Sequence, residues 1–185
     1  MSLEYAILGF LNYKPFSGYD LKKTFDISVQ HFWPADQSQI YRTLARLAKR
    51  GWAEPEIVQQ DDRPNRKVYH ITESGQEELR RWLTTPLPTR DARHALLVQV
   101  FFAGQLSDEE ILELFEQEAA RLRQALESYS QIPQQSTVYA NALEYPREAF
   151  FWMLTLEYGI KVNQVGLEWV EDVIQRIKSG QPPSE

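Results

Sequence analysis

The sequence predicts a mainly α-helical protein carrying one small β-hairpin, and three observations lead there. Apolar residues recur at steps of three and four along most of the chain, which is the spacing of a helix face. Trp52 to Ile71 departs from that rule, with two runs of branched and aromatic side chains around a polar loop. From Ala149 to Ile177 the three-and-four spacing is sustained without a break.

Taken in order, Leu3 to Leu11 is short, apolar and helical in spacing, and Pro15 breaks it. Ser17 can cap a second helix with Asp20 answering at the third helical position. Asp36 followed by Gln39 is a capping-box-like start for a third helix from about Gln37 to Arg50, and Gly51 is placed to end it. Ile40, Leu44 and Leu47 form its apolar stripe. Gln39, Arg42, Thr43, Arg46 and Arg50 are expected along the opposite stripe, where amide, hydroxyl and guanidinium groups suit base edges and phosphates.

Trp52 to Val58 and Arg66 to Ile71 read as the strands of a hairpin, joined by the polar loop Gln59 to Asn65. Arg63, Asn65, Arg66 and Lys67 lie at its tip, where cations can meet a phosphate backbone; Asp61 and Asp62 weaken the field there. Helix, helix, basic helix and hairpin is the order of a winged helix-turn-helix, so the expected partner is double-stranded DNA. A winged helix that binds protein would show a neutral third-helix face, and Arg42, Arg46 and Arg50 argue against it.

These segments resemble the PadR-type transcriptional regulators. The resemblance rests on Leu3-Glu4-Tyr5-Ala6-Ile7-Leu8-Gly9, Ser17-Gly18-Tyr19-Asp20-Leu21, Phe32-Trp33, Ile40 to Leu47, Gly51, and Arg63 to Tyr69 running into Thr72-Glu73-Ser74-Gly75. It implies that Tyr41 and its neighbours contact DNA, and that Arg63, Arg66 and Lys67 occupy the wing. Ser38 and Asp62 depart from the family pattern, standing where glycines are usual.

Thr72 to Leu83 reads as a fourth helix. Two prolines, Pro86 and Pro88, then interrupt the chain, so the expected organisation is a DNA-binding domain over 1–85, a linker over 86–90 and a helical dimerisation and effector domain over 91–185. In that second half, Asp91 can cap a helix running through Phe102 whose apolar run suggests burial nearly all round. Ser107 and Glu110 form a capping box for a long amphipathic helix ending near Pro133. The last helix begins near Pro146 and carries a heptad seam of Ala149, Met153, Leu156, Ile160, Asn163, Leu167, Val170, Ile174 and Ile177. Gly159 and Gly166 lie on a neighbouring column, and Asn163 can set register with a partner. The seam suits a homodimer, joining two recognition helices by symmetry onto a palindromic operator; packing within one chain would give the same stripe.

Tyr139, Tyr145, Phe150, Phe151, Trp152, Tyr158 and Trp169 are candidate walls for a small apolar ligand, although large rings are also the ordinary filling of helical interfaces. The resemblance implies an effector that is a small aromatic compound, and repression is the default mode of action.

Composition agrees. At 185 residues and 43% hydrophobic, one or two domains are expected. Residues 1–85 carry 12 Lys and Arg against 11 Asp and Glu, whereas residues 86–185 carry 8 against 15, so the acidity sits in the second half. With no cysteine there is no disulfide or thiolate chemistry, which suits the cytoplasm. His31, His70 and His94 lie in separate predicted elements without metal-ligand spacing. No phosphate loop or nucleophile elbow occurs, so neither an enzyme nor a cofactor is expected. No run of about 18 apolar residues suggests a membrane span.

Overall fold

The computed structural model describes residues 2–59, 65–87, 94–143 and 146–180, with side chains for all of these but 133–143. It divides into two compact units, Met1–Pro88 and Thr89–Glu185.

The first unit packs four helices against a three-stranded antiparallel sheet. Its elements are α1 (Ser2–Tyr13), β1 (Phe16–Ser17), α2 (Gly18–Ile27), α3 (Gln37–Lys49), β2 (Ala53–Val58), β3 (Arg66–Ile71) and α4 (Glu73–Thr84). Strand order is β1-β3-β2, with Phe16 opposite Tyr69 and Ala53 opposite Ile71. The two-residue β1 escapes sequence reading because no alternation can show over so short a run. The core gathers Ile7, Leu8 and Leu11 of α1, Leu21 and Phe25 of α2, and Ile40, Leu44 and Leu47 of α3, with Tyr69 and Leu79 closing it.

Caps form as their sequence signals require. Ser17 Oγ accepts from the Asp20 amide at 3.2 Å, and Thr72 Oγ1 accepts from that of Gly75 at 3.1 Å. Gly51 adopts φ +72°, a left-handed turn suited to glycine at a helix end. Its carbonyl accepts from both Thr72 Oγ1 (2.6 Å) and Ser74 Oγ (2.8 Å), and the Trp52 carbonyl accepts from the Thr72 amide (3.1 Å). The end of α3 and the start of α4 are thus clasped across the base of the hairpin.

The second unit holds α5 (Ala95–Phe102), a 3-10 turn (Ala103–Gln105), α6 (Asp108–Leu143) and α7 (Pro146–Ser179). Asp91 lies outside the described residues. α6 starts on the reciprocal Ser107–Glu110 bonds, but it runs through Pro133, where an end was expected. One proline removes one backbone hydrogen bond, and a 36-residue helix retains the others. α6 and α7 pack through Phe115, Ala119, Leu122, Val170 and Ile174, with Leu112, Leu167, Val173 and Ile177 around them. Arg123–Glu171 (2.5 Å) and Lys178–Glu116 (2.9 Å) tie the two helices at their edges.

That packing redirects three expectations. Leu167, Val170 and Ile174 of the heptad seam are engaged within one chain, as is Gly166, whose position faces Leu122. Asn163 donates to the Gly159 carbonyl one turn back (2.7 Å), a bond within its own helix. α5 was expected to be buried nearly all round, yet none of its residues is: Leu97, Val98, Phe101 and Phe102 are exposed and only Val100 leans on the α6–α7 core. Among the described residues, no helix is long and apolar enough to cross a membrane.

Candidate nucleic-acid interface

α3 is held by its apolar stripe. Ile40, Leu44 and Leu47 are fully buried, and Asp36 with Gln39 makes the full capping box: Asp36 Oδ1 accepts from the Gln39 amide (2.7 Å) and Gln39 Oε1 accepts from the Asp36 amide (3.0 Å). The helix therefore has one orientation against α1 and α2, and its outer face is fixed.

That face is turned by roughly a quarter of the helix circumference from the stripe read in the sequence, at about 100° per residue. Thr43 is buried, 1% exposed, and its Oγ1 accepts from Arg46 (3.0 Å); it belongs to the core side, so the expectation that it lies on the exposed stripe is corrected. Gln39 is exposed, with its carbonyl oxygen committed to the cap. Arg46 and Arg50 lie on the flank, both beside Glu4 of α1, at 3.6 Å and 3.2 Å. Arg50 also stacks on the Trp52 ring, 4.9 Å from its centroid. The residues diametrically opposite the buried stripe are Ser38, Arg42, Ala45 and Lys49, with Tyr41 beside them, all exposed. Arg42 bends back to the Ser38 carbonyl (3.3 Å), and the Tyr41 ring rests on Gly18, where an added Cβ would stand 2.7 Å from it.

In the hairpin, Lys67 is exposed with its Nζ 5.4 Å from the Tyr69 ring centroid, and Asn65 is exposed ahead of β3. Arg66 is ion-paired with Asp20 of α2, so the wing is tethered to the second helix. Arg63 lies outside the described residues.

The described aromatic candidates are spread along α7. Phe151 to Trp169 spans 18 residues of α7, about 27 Å at 1.5 Å per residue, and Phe151, Tyr158 and Trp169 lie along one exposed side. Trp152 is half-buried, and Trp169 meets Phe115 edge to face at 5.7 Å. The Tyr139 side chain and Tyr145 lie outside the described residues.

Helix, helix, exposed basic helix and hairpin, followed by a long helical pair, is an arrangement with known counterparts. A PadR-like transcriptional regulator model matches residues 7–81, and a model described as the virulence activator alpha C-terminal region matches residues 92–178. The Mycobacterium tuberculosis protein named Probable transcriptional regulator Rv1176c is 33% identical, with 96% of this chain and 98% of that protein covered. The chain belongs to the PadR-like family of transcriptional regulators. The Negative transcriptional regulator PadR of Bacillus subtilis is 27% identical over 95% of this chain and 97% of its own. The structure of that protein with operator DNA superposes with a TM-score of 0.80, at 26% identity over 96% of this chain and 99% of the other. Its complex with p-coumaric acid gives 0.76, at 26% identity over 95% of each chain. The PadR-like family regulates transcription, and this chain is a regulator and no enzyme.

Sequence reading missed Lys49 and the outward position of Ser38. The signal was present: starting from Ile40, Leu44 and Leu47, the residues half a turn away are 38, 42, 45 and 49. Following charge led instead to Arg46 and Arg50, which buried Glu4 draws to one side.

Proposed function

We propose that this PadR-like regulator is a homodimeric repressor that binds a palindromic operator through α3 and the wing and is released by a small aromatic effector. The observation that carries the reading is the outer face of α3, where Tyr41, Arg42 and Lys49 project opposite a fully buried stripe on a helix capped at its start. An arginine in a major groove can donate two hydrogen bonds to a guanine edge, while lysines are suited to phosphates. The first unit is the DNA-binding domain, with Asn65, Arg66 and Lys67 as its wing; the second serves dimerisation and effector response. DNA is the macromolecular partner that the Bacillus subtilis relative also takes.

The dimer face follows from which side of α7 is left over. Phe151, Leu154, Tyr158, Val162 and Val165 recur at three and four, turned from the α6–α7 core, and all are exposed; Trp169, next in the series, is also exposed but meets Phe115 of α6 edge to face. A second copy would cover that stripe and the exposed residues of α5. The original seam runs along the other side of α7, where Leu156 is buried, Ile160 is half-buried and Leu167, Val170 and Ile174 serve the intrachain core, while Met153 is exposed. The proposal of an aromatic effector is supported by the p-coumaric acid complex of the Bacillus subtilis relative. In a dimer, rings from two stripes can enclose what one helix cannot.

Selection of bound duplexes from a random pool tests the reading. A palindrome with half-sites about one helical turn apart is the expected product. Recovery of no preferred duplex, or sedimentation as a monomer at micromolar concentration, overturns it. Addition of p-coumaric acid should weaken operator binding; unchanged binding across related aromatic acids removes the effector clause.

A further inference from the structure

Glu4 is a carboxylate in a core position. It is 3% exposed on α1, beside Tyr5, Ile7 and Leu8, and receives the Arg50 Nη1 at 3.2 Å with the Arg46 Nε at 3.6 Å. Both arginine side chains are about half exposed, at 48% and 58%. A buried carboxylate is tolerated only while its partners stay, because an ion stranded in an apolar site loses its hydration with nothing in return. Neither guanidinium is therefore free to swing out to a phosphate without a penalty at Glu4. Arg50 is held a second time by Trp52, and Arg46 by Thr43.

We propose that Glu4 tunes affinity for DNA as a buried counter-ion, withholding positive charge of α3 from the DNA backbone while Tyr41 and Arg42 remain free on its outer face. This rests on the DNA-binding reading above. Two arginines and one carboxylate present a net single positive charge where the arginines alone would present two. Backbone attraction grows with the number of phosphates neutralised and is blind to sequence, whereas base contacts are not. Withholding one cation therefore lowers affinity for operator and random DNA alike and flattens the salt dependence of both. Glu4 acts through Arg46 and Arg50 and touches no base itself, so it is a positioning residue.

The test uses the full chain, the operator recovered by selection, and a scrambled duplex of equal length. Glu4→Gln keeps the size of the side chain and an oxygen that can accept from Arg50, but removes the charge. Its plot of log affinity against log salt should steepen by about 0.9, so from 50 to 200 mM salt it loses roughly 3.5-fold more affinity than wild type on either duplex. At the low-salt end it should bind both duplexes more tightly than wild type does, with the ratio between them unchanged. Glu4→Asp retains the charge and should keep the wild-type slope even where the shorter side chain loosens packing, which separates charge from structure. Equal slopes for wild type and Glu4→Gln overturn the proposal while leaving DNA binding intact. Retention of no duplex by the wild type at low salt overturns the DNA-binding reading and this inference with it. Should Glu4→Gln not fold, guanidinium proton exchange in the free wild-type protein decides: slower exchange at Arg46 and Arg50 than at solvent-facing Arg80 supports the tether, and equal rates overturn it.

Discussion

Gly75 has no room for a side chain. A Cβ there would stand 2.1 Å from the Trp52 carbonyl oxygen and 2.9 Å from an Ile71 carbon, and the first of these is backbone that cannot turn aside. Gly75→Ala should cost about 1 to 3 kcal/mol of stability, the usual range for overpacking, read as a lower urea midpoint. On the outer face of α3 the expectations differ by chemistry. Arg42→Ala should weaken operator binding by about 1 to 3 kcal/mol and relax discrimination at one base pair, if its guanidinium reads a base edge. Lys67→Ala should weaken all duplexes alike and lower the salt slope by about one. Individual side chains were the least legible part of the sequence. Thr43 is as polar as a surface residue but sits within the buried arc of α3, and only the helix phase reveals that. Glu4 looks like a surface charge in sequence, and its burial depends on two arginines more than forty positions away.

At the level of elements, the helices of both units were legible because caps and apolar spacing agree, from Ser17 and Asp36 to Ser107 and Pro146. What spacing cannot tell is which neighbour an apolar stripe meets. α7 carries two such stripes on opposite sides, and only the fold shows that Val170 and Ile174 turn to α6 while Tyr158 and Val162 turn away. Substitutions on the two sides should therefore fail differently. Phe115→Ala, in the α6–α7 core, should lower stability by about 3 to 5 kcal/mol. Val162→Asp should leave the α6–α7 core intact but convert the proposed dimer to monomer in sedimentation, and its unfolding midpoint should lose any dependence on protein concentration. A dimeric Val162→Asp protein would remove the proposed interface.

For the molecule as a whole, acidity and stability are linked through carboxylates held by neighbouring arginines. Two hydrogen bonds from Arg81, at 2.8 Å and 2.6 Å, outweigh the effect of burial and hold the Glu78 carboxyl below its ordinary value, with Tyr5 donating a further bond at 2.7 Å. Arg121 does the same for Glu118. A carboxyl whose folded value is lowered contributes stability that is fully present above its unfolded value, about 4.5, and drains away as pH falls through the folded one. Wild type should therefore lose stability more steeply than Glu78→Gln as pH drops from about 5 to 3. Urea midpoints across that interval check it, and parallel curves would contradict it.

The clasp on the Gly51 carbonyl gives the first unit a bond that the strands do not supply. Because two hydroxyls at the start of α4 hold the carbonyl just past the end of α3, those two helices are joined at the hairpin base independently of the strand ladder between them.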